Sequence, residues 1–313
     1  MLTFLGNRLL QLIPTLFFVS VLIFGLQQLL PGDPALTMAG EERDPQVIEQ
    51  IRRQYHLDQP LPVQYVYWVK GVLSGDLGES MRIKEKVLDL IIAKLPVTIQ
   101  LAVMAMIIAL VIGISAGIVS AVWRDTVWDY AANAFALWGI STPNFWLGIM
   151  LIFLFSVELG WLPASGYVRL SEDWRASLAS TIMPAFVLGN SIAAVLMRHT
   201  RSAMLQVLES DYVRTARAKG LSERSIVLKH ALRNALNPVI TAITGWFAEL
   251  LAGAFFVEYI FGWNGIGKLT VDALEKLDFP VVMGSVLISS FFFIAVNILA
   301  DVMYGIVDPR VRV

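Results

Sequence analysis

Long apolar stretches almost free of charge constrain this chain more than any other feature. Leu9 to Leu30 holds no Asp, Glu, Lys or Arg, and about 20 such residues suffice for a helix to cross the hydrocarbon of a bilayer. Comparable runs cover Val97–Val122, Ala131–Val157, Ile182–Met197, Pro238–Ile260 and Val281–Ile306. Only 16 % of residues are charged, against about 25 % in a soluble domain. Mean hydropathy is +0.66. The expectation is an all-α integral membrane protein with about six transmembrane helices. Arg8 gives the first run the basic start of a secretory leader. The run is long for a leader, however, and ends at Pro31-Gly32-Asp33-Pro34 with no small-residue cleavage site, so it reads as an uncleaved span.

The charges between the runs set the orientation. Segment 198–237 carries eight basic residues (Arg198, Arg201, Arg214, Arg217, Lys219, Arg224, Lys229 and Arg233) and three acids. An excess of Lys and Arg marks cytoplasmic loops. Arg8, Arg124, Arg310 and Arg312 then fall on the same side, and both termini are expected in the cytoplasm. Loops 158–181 and 261–280 each have two basic residues outnumbered by acids. Residues 31–96 form a long polar loop, with short amphipathic helices expected around Gln46–Tyr55 and Lys84–Lys94. The chain thus divides into 1–96, the first span (about 9–30) plus an extracytoplasmic region, and 97–306, a core of five spans. Those spans are about 97–122, 131–157, 182–197, 238–260 and 281–306, with the cytoplasmic loop 198–237 among them. Ser141-Thr142-Pro143-Asn144 interrupts the third span and predicts a kink or a break, because proline frees a backbone carbonyl.

Within the basic loop, residues 211–238 read as two helices. Ser210 or Asp211 can cap the first, Gly220 suits its left-handed C-terminal position, and Ser222 can cap the second. The second is expected to end near Asn237, because Pro238 disfavours helix in the residue before it. A helix–Gly–helix element makes a compact basic knob. The bland alternative is a retention loop, basic only for orientation.

That knob resembles the EAA loop of importer permeases of the ATP-binding-cassette (ABC) class, in which Glu-Ala-Ala is followed after three residues by Gly. Arg214, Thr215, Ala216 and Gly220 stand at those positions; Ala216 and Gly220 agree, and Arg214 and Thr215 depart. The run Asp211-Tyr-Val-Arg-Thr-Ala-Arg-Ala-Lys-Gly220 and the following His230-Ala-Leu-Arg233-Asn234-Ala are similar to the dipeptide/oligopeptide/nickel branch. So are Asn7-Arg8-Leu9-Leu10, Leu30-Pro31-Gly32-Asp33-Pro34, Leu57-Asp58-Gln59-Pro60-Leu61 and Gly75-Asp76-Leu77-Gly78-Glu79-Ser80. Further along, Phe261-Gly-Trp-Asn-Gly-Ile-Gly267, Asp278-Phe279-Pro280 and Asp308-Pro309-Arg310 match as well. The resemblance implies a type I ABC importer permease fold and a non-catalytic subunit in a bacterial inner membrane. It also implies a second homologous permease subunit, two ABC ATPase subunits that bind ATP and Mg, and an extracytoplasmic substrate-binding protein. The ATPase-coupling loop would comprise Arg214, Thr215, Ala216, Gly220, His230, Arg233 and Asn234. Di- or oligopeptides are the implied cargo, with nickel or glutathione as alternatives.

Other signals point the same way or stay open. Gly262-Trp-Asn-Gly-Ile-Gly267-Lys268-Leu269 nearly spells a phosphate-binding loop, but Leu269 stands where Ser or Thr must hold magnesium. ATP binding by this chain is not expected. Glu249 lies midway along the fifth span and Glu258 near its outer end. A carboxylate at the bilayer centre costs about 2.5–3.5 kcal/mol on insertion scales, so a translocation-path role is weighed against a hydrogen-bonded structural one. Gly113-Ile-Ser-Ala-Gly117 permits close helix packing. His56, His199 and His230 lack metal-ligand spacing, and without cysteine there is no thiolate site. No metal or other cofactor is expected in this chain. An ion-coupled secondary transporter and a non-transporting membrane scaffold are the rival readings. Paired repeats and discontinuous helices around ion sites would favour the former.

Overall fold

The computed structural model describes residues 2–29, 33–39 and 44–307. For 2–9, 11, 34, 37, 38, 237, 238, 240–244, 248, 249, 251–253 and 300–307 the description covers the backbone alone. The motif residues Pro31-Gly32 and Asp308-Pro309-Arg310 lie outside the described residues.

Helices α1 (Leu2–Gln27), α2 (Pro34–Ala39), α3 (Pro45–Gln54) and α4 (Leu61–Leu73) open the chain. They are followed by α5 (Val87–Val122), α6 (Val127–Ser141), α7 (Asn144–Leu151) and α8 (Trp174–Leu208). Then come α9 (Asp211–Ala218), the single turn α10 (Glu223–Ser225), α11 (Leu232–Ile260), α12 (Ile266–Glu275) and α13 (Phe279–Val307). Wider π-helical turns continue α7 through Ile152–Glu158 and join α10 to α11 through Ile226–Ala231. Among the described residues, α5, α8 and α13 have the length and apolarity to cross a membrane, and α6 with α7 do so as a bent pair.

Local chemistry sets the boundaries. Asp44 caps α3 by accepting from the Gln46 amide at 2.9 Å, and Pro45 fills the first turn, where its missing N–H costs nothing. Asp173 accepts from the amides of Arg175 (2.9 Å) and Ala176 (3.1 Å), starting α8 eight residues before its apolar run. The expected break in the third span is real and sharp. Thr142 is extended (ψ 121°), as a residue before proline prefers, and α6 and α7 meet at 106°. The bend opens a wholly apolar recess of about 640 Å³, walled by α5, α6, α7 and α8.

Two expectations need correction. The separate amphipathic helix expected around Lys84–Lys94 does not exist. Val87, Leu90 and Ile91 bury one face of the start of α5, which runs unbroken past Pro96 into the second apolar run. Nor does a helix end near Asn237: α11 runs from Leu232 through position 238 to Ile260. A proline inside a bundled apolar helix is tolerated where neighbouring groups take up the freed carbonyl.

The chain forms two compact units. One comprises Leu2–Thr98 and Asn264–Ile294. Its core gathers Leu77, Val87, Leu90, Ile91, Ile266, Ala273, Val281 and Leu287. Asp278, 2 % exposed, ties the 80–82 turn to the start of α13. Its carboxylate accepts from the Ser80 hydroxyl and from the amides of Met81 (3.0 Å) and Arg82 (3.4 Å). Ile266 N–H donates to the Thr98 hydroxyl at 3.0 Å.

The other unit comprises Ile99–Trp263 and, of the described residues, 295–307. Helix α8 is its axis: 78 % of its apolar window is buried, against 33 % in α5. Glycines let α5 lie against it. A methyl built on Gly113 would stand 2.6 Å from Leu196 Cβ, one on Gly117 2.5 Å from Thr200 Cβ, and one on Gly189 2.5 Å from the Ala105 carbonyl oxygen. Such backbone approach is what small residues four apart, as Gly113 and Gly117 are, allow. Ala132 and Ala136 of α6 pack on Ala194 and Met197. At one end of this seam Arg201 forks onto Asp129, with Nη2 2.9 Å from Oδ2 and Nε 3.0 Å from Oδ1. At the other end the Tyr167 hydroxyl donates to Gln100 Oε1 (3.0 Å), and Gln100 Nε2 donates to Ser177 (3.1 Å).

Candidate functional site

The 211–237 element is built as two faces. Helix α9 places Val213 and Ala216 three apart, hence on one side. There they bury against Ile226 and Val207. Ala216 is 8 % exposed, so its small side chain sets how closely α9 approaches the following turn. Gly220, at φ +77°, makes the left-handed turn after α9 with open space around it. Its amide donates to the Arg217 carbonyl at 2.9 Å. The next turn begins at Ser222 and widens into the π-helix, where Leu232 N–H reaches Val227 O. Wide turns of this kind recur at functional positions.

Polar bonds lock the two helical pieces together. Arg217 donates to Glu223 at 2.8 and 3.3 Å across the Gly220 turn. The guanidinium holds the Glu223 carboxyl below its usual range, and the carboxylate in turn raises Arg217. Asn234 Nδ2 donates to the Tyr212 hydroxyl (2.8 Å) and to the His230 carbonyl (3.2 Å). Thr215 donates to the Asp211 carbonyl at 2.9 Å. The capping hydroxyls behave differently from expectation: Ser210 turns back to the Val207 carbonyl, and Ser222 makes no side-chain cap bond.

The outer face is what remains. Tyr212, Arg214, Thr215, Leu221, Leu228, Arg233 and Asn234 are exposed, and His230 is partly so. Arg214, 3.5 Å from Asp211, keeps 73 % of its side chain in solvent. The sequence residues therefore split by role. Ala216 and Gly220 shape the knob, whereas Arg214, Thr215, Arg233 and Asn234 coat it. Sequence reasoning missed Val213 and Ile226 as the buried foot of the knob, although their apolar character in a basic loop was the available signal. It also missed the Arg217–Glu223 and Tyr212–Asn234 pairs, which have no local spacing rule.

The knob is rooted in the second unit. Val227, Ala231 and Ala235 pack with Ala121 of α5 and with Ala203 and Met204 of α8. Helix α11 then carries Glu258, whose side chain is fully buried, and Phe261 and Trp263 beyond it are buried as well. Glu249 lies on the same helix, but its side chain is outside the described residues. His56 stacks on Tyr67 (3.9 Å) and His199 lies against Trp246 (5.5 Å), each apart from His230.

Among the described residues the chain is all-α, and its seam, broken span and helix–Gly–helix knob form the type I importer fold. Solved structures share the fold. The MetNI methionine ABC transporter in inward-facing conformations matches with a TM-score of 0.56 at 19 % identity, over 70 % of this chain and 96 % of its own. An amino acid ABC transporter with histidines matches with a TM-score of 0.53 at 14 % identity, over 69 % and 93 %.

The chain belongs to the family of binding-protein-dependent transport system inner membrane components, which matches residues 113–313. The corresponding N-terminal family matches residues 1–102. Among curated relatives, the glutathione transport system permease protein GsiC of Escherichia coli O6:H1 is 46 % identical over 312 residues, spanning 100 % of this chain and 99 % of the relative. Its counterpart in Escherichia coli K12 is 45 % identical over the same span. The chain is thus a permease subunit of an ABC importer, a multi-pass protein of the bacterial inner membrane. That membership sets aside the ion-coupled and scaffold readings.

Proposed function

We propose that this subunit forms half of the translocation path of an ATP-driven importer for short peptides, with glutathione as the first substrate to test. Glutathione stands as an alternative to the di- and oligopeptides implied by the sequence, and the curated relatives named for glutathione transport favour that alternative. The knob carries the proposal. Its apolar foot is buried, and its outer face offers Tyr212, Leu221 and Leu228 among arginines, a surface suited to a groove on a cytoplasmic ATPase. Arg214, Thr215, Ala216, Gly220, His230, Arg233 and Asn234 make up this coupling element. The complete importer would add a second homologous permease, two ATPases holding ATP and Mg, and an extracytoplasmic binding protein that delivers the cargo. Six spans with both termini in the cytoplasm, divided as 1–96 and 97–306, complete the proposed topology. Helix α11 would line part of the path, with Glu249 and Glu258 as its ionisable positions. ATP-driven closure of the ATPases would displace the knob and switch the spans between inward-open and outward-open.

Uptake of labelled glutathione and of labelled dipeptides by proteoliposomes holding the whole importer tests this. ATP-dependent glutathione uptake that competes poorly with dipeptides supports the reading. Import of dipeptides alone would move the substrate to the dipeptide class, and absence of any ATP-dependent peptide uptake would refute the proposal.

A further inference from the structure

The knob is displaced by its partner only to the extent that something rigid carries the displacement onward. In the second unit one cluster is placed to do so. Asp129, at the start of α6, is 4 % exposed in its side chain and accepts both prongs of Arg201 from α8. Its oxygens also accept from the Ser120 hydroxyl at the end of α5, from Asn133 Nδ2 (2.7 Å) and from the Asp125 amide (3.1 Å). Arg201 Nε reaches Ser120 Oγ as well, at 2.9 Å. One carboxylate therefore joins three helices.

The position of the cluster gives it meaning. Ser120 adjoins Ala121, and Arg201 lies one turn or less from Ala203 and Met204, the residues on which Val227, Ala231 and Ala235 rest. The root of the knob and the ion pair thus grip the same turns of α5 and α8. The ion pair adds the start of α6, which leads to the broken span. Elsewhere α6 meets α8 through the apolar contacts of Ala132, Ala136, Ala194 and Met197 and through one neutral hydrogen bond, from Asn190 Nδ2 to the Gly139 carbonyl at 3.2 Å. Such an ion pair is a poor source of net stability compared with apolar residues of like volume, whereas the two-pronged geometry of this one suits it to hold a register.

We propose that Asp129 and Arg201 form a transmission clamp, positioning α6 so that knob movement reaches the broken span rather than dissipating at α8. The inference rests on the importer reading above. It assigns these residues no contact with cargo or nucleotide; they act through the helices they join.

The test uses the complete importer in proteoliposomes, with ATP hydrolysis and uptake measured in the same vesicles. Asp129→Asn leaves a half-buried guanidinium without its counter-charge, so the double variant Asp129→Asn with Arg201→Met, which buries no charge, guards against simple misfolding. The expected result is normal assembly and ATP hydrolysis with uptake per ATP reduced about tenfold, within the usual span of coupling between distant sites. Arg201→Lys, which keeps the charge and loses the fork, should fall in between. A double variant that imports as much per ATP as the parent would overturn the clamp. Spin labels on Lys219→Cys and Leu137→Cys, both exposed, supply a second readout in a chain with no other cysteine. Their separation should stay constant between nucleotide states in the parent and change in the double variant; an invariant separation in both would also overturn it. If the unsubstituted complex shows no ATP-dependent uptake, the importer reading itself fails, and that failure is visible before any variant is made.

Discussion

Replacing Gly117 by alanine puts a methyl carbon where the α5–α8 seam has no room. It would stand 2.5 Å from Thr200 Cβ, 2.8 Å from the Met197 carbonyl oxygen and 2.9 Å from Thr200 Cγ2. Comfortable carbon contacts lie near 3.5–4.0 Å, so the helices must part by about 1 Å. Overpacking of this sort costs about 1–3 kcal/mol. Three contacts at 2.5–2.9 Å call for the upper part of that range, about 2–3 kcal/mol; alanine's better helix propensity returns up to about 1 kcal/mol, leaving a net loss of about 1–2 kcal/mol. At about 2–4 °C per kcal/mol for a large domain, the melting midpoint in detergent should fall by about 2–8 °C. Gly113→Ala, with Leu196 Cβ at 2.6 Å and the Ala193 carbonyl at 2.7 Å, should behave alike. The double variant should lose less than the sum, because one separation of the helices relieves both clashes. Gly245→Ala, with nothing within 4 Å, is the control and should not lower the midpoint. A Gly117→Ala protein that melts with the parent would refute the close-packing argument.

Three further outcomes are expected. Gly220→Ala forces a side chain into the left-handed region at φ +77°, a strain of about 1–2 kcal/mol, and should reduce ATP-dependent uptake without lowering the amount of permease in the membrane. Ala216→Asp places an unpaired carboxylate against Val207, Val213 and Ile226 and should abolish co-purification of the ATPase while the melting of the rest of the chain persists. Because Arg217 lowers the Glu223 pKa, the pair's contribution is present above the ordinary glutamate value and is lost as pH falls through the depressed one. Protection factors of the 211–226 amides, which remove the intrinsic pH dependence of exchange, should therefore hold steady around neutrality and fall only below about pH 4.5, and Glu223→Gln should remove that acid limb.

Much of this architecture is legible in the residues, and the exceptions have causes. Apolar length locates the helices but not their ends, because ends depend on caps and partners. Helix α8 begins at a carboxylate cap, Asp173, and continues past Arg198 and Arg201, charges that read as loop in a hydropathy count. Arg201 stays helical and half-buried because Asp129, 72 positions away, neutralises it, and no local pattern announces a pair at that separation. The start of α5 was available in principle: Val87, Leu90 and Ile91 follow helical spacing among the charges that suggested a separate element. In the knob, glycine chemistry predicted the Gly220 turn correctly, since a positive φ has few alternatives. The π-helical turn at 226–231 has no such signature, so its junction with α11 went unread.

The right-angled joint at Thr142-Pro143 carries a consequence for the surrounding lipid. Where α6 stops and α7 starts, the groups a helix break orphans are met in part within the chain: the Thr142 amide and hydroxyl donate to the Trp138 carbonyl at 2.9 and 2.7 Å, and Asn190 Nδ2 donates to the Gly139 carbonyl at 3.2 Å. Hydrocarbon cannot satisfy those that remain. At that depth the bilayer must give way to water or to another protein surface. The joint therefore works as a solvation marker: it fixes where along the membrane normal this subunit ceases to tolerate acyl chains and requires company.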